Sequence, residues 1–175
     1  MNHLVKLLLL AGLAALTVID ARAADVDAHV FSVTGTCEFA APGSSSYAPL
    51  KAKQALAVGS TVRTGDDGVA VIVTTKGSAV QIGNSSIVKI NKLAFAKSGD
   101  TVTQRTADLT LTSGVVSALI DPSTPKVTDF KIHTPEGAAA ARGTFYAVMV
   151  SHGKTYVSVE RGKVGAMAVP ANHHL

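Results

Sequence analysis

Turn-forming residues recur along most of this chain about every 8 to 10 residues, with short segments rich in Val, Ile and Thr between them. Examples are the clusters at 66–68, 76–78 and 83–86, which are built from Gly, Asp, Asn, Ser and Lys. The segments between them alternate apolar and polar residues, as strands with one buried face do. A helical repeat is absent, and only residues 93–98 are compatible with a helical turn. This spacing predicts an all-β domain.

Strands this short cannot each bury an apolar face alone. Successive strand–turn units must therefore coil or stack around a shared interior. The units match in rhythm but not in sequence, so we expect an irregular β-solenoid or roll of short strands. A β-sandwich or jelly roll predicts the same rhythm and is the alternative.

The first 23 residues have the composition of a signal peptide. A short polar start is followed by thirteen largely apolar residues (7–19), and Ala21-Arg22-Ala23 matches a small-x-small cleavage site. The apolar run is shorter than the roughly 20 residues that span a bilayer, and a retained signal anchor is the alternative. We expect export, cleavage after Ala23, a domain over residues 24–169, and a flexible tail over 170–175.

Composition excludes several function classes. Without the leader, 14 basic minus 11 acidic residues leave a net charge of +3, and the basic residues are scattered along the sequence. Aromatic residues are only 5% of the chain, so we expect no nucleic-acid partner. The single cysteine, Cys37, excludes an intrachain disulfide and has no metal partner at ligand spacing. We predict that it is a small buried residue.

The stretch around Thr134 to Thr144 contains the candidate site residues. Thr134-Pro135 ends one predicted strand because proline has no N–H to donate. Four alanines then predict a strand with little side-chain bulk. At Arg142-Gly143-Thr144 we expect a kink, with Gly143 at a position that a side chain would strain.

Arg142 has two interpretations. We expect its guanidinium to fold back and satisfy turn carbonyls, or to pair with Glu136 or Asp129. In that case Arg142→Ala and Gly143→Val both lower stability. The alternative is a cation that binds a partner.

Two stretches resemble the FecR domain of bacterial envelope proteins. Residues 58–65 (VGSTVRTG), 68–71 and 77–82 are similar to the family's succession G-x-x-V-x-T-G, G-x-A-x-L and G-S-x-V-x-L. Residues 130–135 (FKIHTP), 141–146 (ARGTFY) and 159–164 (VERGKV) are similar to its F-x-I-x-T-P, x-R-G-T-x-F and V-x-x-G-x-V ending. The resemblance covers roughly residues 55–168.

The resemblance implies a periplasmic all-β domain that is often described as solenoid-like. In founding members of the family, this domain reports the state of an outer-membrane iron-siderophore receptor to a cytoplasmic sigma factor. The present sequence has neither the N-terminal helical region with its membrane span nor the α+β segment that follows the β domain. We therefore expect the envelope β module without that signalling machinery, and no membrane span after signal cleavage.

We expect no enzyme and no cofactor, because the sequence has no Gly-x-Ser-x-Gly elbow, phosphate loop or zinc-hydrolase helix. His133 and His152 lack ligand-type neighbours at metal spacing, and Asp66-Asp67-Gly68 is typical of an ordinary turn. We expect no metal site.

The functional hypothesis is a non-catalytic binding module of the cell envelope. Its exposed strand edges and turns would contact another envelope protein or a cell-wall polysaccharide. The alternatives are a structural or self-assembling envelope protein, which leaves oligomers open, and a truncated signalling component related to sigma-factor regulators of iron uptake.

Overall fold

A computed structural model describes residues 24–168, and these residues contain fifteen strands and no helix. The expected all-β class is confirmed. Among the described residues there is accordingly no helix that could cross a membrane. The predicted signal peptide (1–23) and tail (170–175) lie outside the described residues, as does residue 169.

The strand bounds agree with most of the predicted strand–turn units. The strands are β1 (Ala24–Asp25), β2 (Ala28–Thr34), β3 (Cys37–Ala40), β4 (Ala48–Pro49), β5 (Ala55–Leu56), β6 (Thr61–Thr64), β7 (Val69–Thr75), β8 (Ser78–Ile82), β9 (Ile87–Ser98), β10 (Thr101–Ile120), β11 (Thr128–Thr134), β12 (Gly137–Ala141), β13 (Phe145–Ser151), β14 (Lys154–Arg161) and β15 (Val164–Ala168).

The strands form one curled sheet with two parts, which we call sheets A and B. Sheet A has the order β4-β3-β6-β9-β10-β11-β12-β15, and β1 also pairs with β9. Sheet B has the order β5-β2-β7-β8-β10-β13-β14. Strand β10 belongs to both parts. Only its pairing with β11 is parallel among the described strands.

The structure differs from the sequence pattern at two places. The alternation and the glycine at 114 predict separate strands over residues 101–103, 109–112 and 115–120. Residues 101–120 instead form one strand, because Gly114 takes a positive φ of 88° and a β-bulge precedes it. The Ser86 hydroxyl accepts the Val115 N–H at 2.9 Å, so the strand bends from sheet A into sheet B without breaking. The stretch 93–98, which is compatible in sequence with a helical turn, is part of β9, since residues 93–98 pair with β10 and 94–95 also pair with β1.

The inward faces of both sheets supply one apolar core. Val, Ile and Leu dominate it, as the composition predicts. From sheet B come Val30, Ile72, Val80, Ile82, Val116, Tyr146 and Val148, and from sheet A come Val62, Val88, Ile90, Leu109, Leu111, Phe130 and Ile132.

The two ends of the curled sheet differ. At one end the two-residue strands β4 and β5 and the loop between them bury Leu50 and Leu56. At the other end β14 and β15 are edge strands, each with one neighbour. Nearly all of their side chains are exposed. We call these the capped end and the open end.

Candidate functional site

A concave groove of about 810 Å³ lies on the outer face of sheet A. Four cationic side chains line it: Lys126 before β11, Lys131 on β11, Arg142 after β12, and Lys163 before β15. One carboxylate, Asp129, lies among them. We call this the cationic groove.

The groove carries an excess of positive charge. Lys131 Nζ lies 2.9 Å from Asp129 Oδ2, which neutralises that pair. Lys126, Arg142 and Lys163 form no salt bridge with any residue of the described chain, and all three are exposed. Three cations are thus free to interact with an anionic ligand.

The lining between the cations is small and polar. Ala140 and Gly165 are cross-strand neighbours on β12 and β15, so no bulky side chain rises between Lys131 and Lys163. The side chains of Thr103, Gln104 and Thr106 add hydroxyl and amide groups along one wall, and no aromatic residue lines the groove. A ligand can reach the sheet surface while its charges meet the rim.

Strand register brings these cations together. Lys131 pairs with Ala140, and Ala140 pairs with Gly165, so residues far apart in sequence become lateral neighbours. In the sequence the basic residues are scattered, so the sequence alone does not predict the groove. Predicting the groove requires the lateral order β11-β12-β15, which depends on pairing between strands that are far apart in the sequence.

Arg142 does not have the interaction expected of it. Its side chain is exposed and makes no hydrogen bond or salt bridge within residues 24–168. It neither folds back on turn carbonyls nor pairs with Glu136 or Asp129. Its position on the groove rim favours the alternative interpretation, a cation available to a partner.

Gly143 and Thr144 form the crossing from sheet A to sheet B. Gly143 has a φ of 118°, and a Cβ there would come within 2.6 Å of Pro122 Cα, so the predicted kink is confirmed. Thr144 is buried. Its carbonyl accepts the Ile120 N–H at 3.0 Å, and its hydroxyl donates to the Lys163 carbonyl at 3.1 Å. This junction positions Arg142 and Lys163.

The role expected of Arg142 belongs to Arg105, which is only 3% exposed. Its Nε donates to the Lys76 carbonyl at 2.9 Å and its Nη1 to the Asp121 carbonyl at 3.2 Å. Hydrogen bonds from Ser123, and then the charge of Arg105, hold the pKa of the Asp121 carboxyl below its ordinary value. This arginine ties two loops to the start of β10.

Thr134 ends β11 and Pro135 begins the turn to β12, so both lie at the other end of β12 from Arg142. The Thr155 hydroxyl of β14 donates to Thr134 Oγ1 at 2.8 Å. The Thr155 N–H donates to the Glu136 carboxylate. The five predicted motif residues therefore divide between two places, the sheet crossing and the open end, and do not form one site.

The remaining candidates have structural roles. Cys37 is buried as predicted, and burial raises the pKa of its thiol. His133 Nε2 lies 3.0 Å from an Asp108 carboxylate oxygen. Asp67 accepts the Thr36 N–H in the predicted turn, and this hydrogen bond lowers the pKa of its carboxyl. Across residues 24–168 no group of three or more His, Cys, Asp or Glu side chains is arranged to hold a metal ion.

The fold and the groove define an all-β domain with a cationic outer face. A family model described as "FecR protein" matches residues 60–165, which is more than half of the chain. The chain therefore belongs to the FecR family, as the two motif stretches indicated, and fits an envelope-associated or signalling-related domain. No curated protein and no solved structure matches it significantly.

Proposed function

We propose that this protein is a non-catalytic binding module, exported to the periplasm, whose contact surface is the cationic groove. The observation that carries the proposal is the set of three unpaired cations around a concavity of about 810 Å³ with a single carboxylate. The signal-peptide composition of residues 1–23 supports export. We propose no cofactor and no reaction.

The chemistry of the lining favours an anionic ligand. Stacking on neutral sugar rings needs aromatic side chains, and none lines the groove. Lysine and arginine bind carboxylates and phosphates through charge-assisted hydrogen bonds. We propose an acidic polysaccharide of the envelope as the ligand, since its repeating charges match cations spread over several strands.

Polygalacturonate fragments and neutral dextran provide the test, with binding measured by isothermal titration calorimetry. We expect the mature protein to bind only the acidic polymer, with affinity that falls as salt rises. Arg142→Glu combined with Lys163→Glu should weaken binding about 10-fold or more. The control, Lys51→Glu with Lys76→Glu, makes the same charge change outside the groove. Equal effects of the two double variants, or equal binding of dextran, would contradict the proposal.

For the architecture, we propose an irregular roll in which the chain alternates between the two sheets. The links β2–β3, β6–β7, β8–β9, β12–β13 and β14–β15 each cross from one sheet to the other, which supports this description. An experimental structure of the mature chain tests it.

Family membership favours a second candidate, an envelope signalling component that binds a separately encoded sigma-factor regulator. In that case affinity capture from envelope extract should return a regulator with a periplasmic portion, and polygalacturonate should not compete for it. Competition by the acidic polymer would instead favour the groove as the common site.

A further inference from the structure

Strand β14 has a free edge and two exposed faces. It pairs only with β13 in the described chain, and none of its eight residues is buried. Val157 and Val159 lie opposite Val148 and Tyr146, whose side chains are in the core. They therefore belong to the inward face of the sheet, yet they are 38% and 44% exposed.

The free edge presents unpaired backbone groups at alternate residues. Ser151 and Lys154 close a two-residue hairpin, so their N–H and C=O groups face each other. Those of Thr155, Val157 and Val159 then point away from β13. The hydrogen bond of Thr155 agrees with this direction, since its N–H donates to the Glu136 carboxylate rather than to β13. Such an edge is a template for another strand.

We propose that the open end binds a second copy of this chain, with β14 pairing antiparallel to β14 across a two-fold axis at Val157. Residues opposite each other must share a face and must both have outward hydrogen-bonding groups. With Val157 opposite itself, Thr155 lies opposite Val159 of the second copy. On the inward face this pairing places valine opposite valine at the axis and valine opposite threonine on either side of it.

Charge selects this register. Regular alternation in β14 holds up to Val159, and Glu160 is the extra residue of a β-bulge with no partner on β13. With Val157 on the axis, Lys154 comes nearest to this Glu160 of the second copy, and the symmetry makes this contact twice. Neither side chain forms a salt bridge with another described residue, and both are exposed. Shifting the axis to Ser158 places Glu160 opposite Tyr156 and leaves Lys154 opposite Gly162, so the charge matching is lost. Opposite charges across a strand pair stabilise it, and like charges destabilise it.

The inward face gives a second reason for a self-complementary contact. A small cavity of about 190 Å³, lined mostly by Ala, Gly and Met with Val157, opens between β14, β15 and the turn before β12. Met167 on β15 is 66% exposed. A second copy approaching edge to edge would cover this apolar opening along with Val157 and Val159. The contact does not involve the cationic groove, so it is independent of the groove's ligand.

Sedimentation velocity of the mature protein, from about 1 to about 200 µM, tests the proposal. An edge contact of this length is smaller than the roughly 1,600 Å² of a standard interface, so we expect micromolar association. Lys154→Glu and Glu160→Lys each convert the attractive pairs into like-charge pairs, and each should weaken the dimer about 10-fold or more.

The decisive sample is an equimolar mixture of these two variants. One carries only Glu at both positions and the other only Lys, so the mixed dimer regains both attractive pairs. We expect the mixture and the Lys154→Glu/Glu160→Lys double variant to associate within about 3-fold of the unaltered protein. Lys51→Glu, at the capped end, makes the same charge change and should leave association unchanged.

Glu136→Ala gives a further measurement, because Glu136 occupies the Thr155 N–H that the second copy needs. We expect this variant to associate about 3-fold more tightly. Weaker association of Glu136→Ala would contradict pairing at Thr155. A protein that stays monomeric throughout, a dimer that appears only after deletion of residues 169–175, or single variants that dimerise as well alone as when mixed would each overturn the proposal.

Discussion

The capped end and the open end complete the same sheet in opposite ways. At the capped end two strands of only two residues each leave Leu50 and Leu56 at 5% and 1% exposure. At the open end, strands of eight and five residues leave Val157 and Val159 about 40% exposed. The length of an edge strand therefore does not determine whether the apolar side chains at that end of the sheet are buried. What matters is whether another segment covers the last strand.

The covering segment at the capped end is held by backbone hydrogen bonds. The Val30 N–H donates to the Gln54 carbonyl at 2.9 Å, and the Lys53 N–H returns a bond to the Val30 carbonyl at 2.7 Å. Lys53 adopts a positive φ of 67° to make this approach. At the open end, the equivalent protection of β14 is one carboxylate, Glu136, on Thr155. A single side chain is easier to displace than a loop.

The largest effect should come from a change in β10, the strand that belongs to both sheets. Arg105→Ala removes the side chain that serves the Lys76 and Asp121 carbonyls, and we expect a loss of about 3–5 kcal/mol in unfolding free energy. Arg63→Ala is the matched control, since Arg63 forms a largely exposed pair with Glu38 and should cost less than about 1 kcal/mol. Urea unfolding of both variants measures the difference, and equal losses would show that burial of Arg105 is unimportant.

A pair of truncations tests the contrast between the ends directly. Leu56→Ala empties a fully buried position and should cost about 2–5 kcal/mol. Val157→Ala at the open end should cost less than about 1 kcal/mol in the monomer, because its side chain is already partly in water. Thermal melts at low protein concentration make the comparison. A large loss of stability for Val157→Ala would mean that other residues cover Val157 in solution.

The smallest difference concerns the sheet crossing. Gly143→Val and Gly153→Val both place a side chain at a positive φ, but only Gly143 also meets Pro122. We expect Gly143→Val to cost about 1–3 kcal/mol more than its control. Arg142→Ala should change stability by less than about 0.5 kcal/mol, contrary to the expectation from sequence, because Arg142 has no described partner. Chemical denaturation can rank the three variants.

Local sequence signals predicted the strands well and their association poorly. Alternation and turn residues predict strands over 28–34, 69–74 and 79–82, which match β2, β7 and β8 to within one residue, because side-chain direction and turn chemistry are local properties. The same signals predict an interruption at Ser113-Gly114, where β10 in fact continues, because a positive φ at glycine is compatible with a strand that bends. Family membership could be predicted from the sequence because the family's motifs consist of such turn and strand residues.

The candidate site depended on information that a single sequence does not contain. Gly143 could be predicted as a kink because a glycine at the start of a strand usually marks a bulge or a close approach of the backbone. Arg142 and Arg105 could not be distinguished in the same way, since both precede a small or β-branched residue and only burial separates them. The cationic groove required the neighbours of β12, which are set by packing across the whole domain.

The length of β10 has a consequence for how this chain reaches its folded state. Its twenty residues pair with β8 and β9 earlier in the chain and with β11 and β13 later, reaching Val150. Such pairings raise the contact order, which slows folding because loop closure must precede stabilising contacts. A nascent chain that ends before Val150 would expose an unpaired edge of β10. Folding is therefore expected to wait until nearly the whole domain has been synthesised.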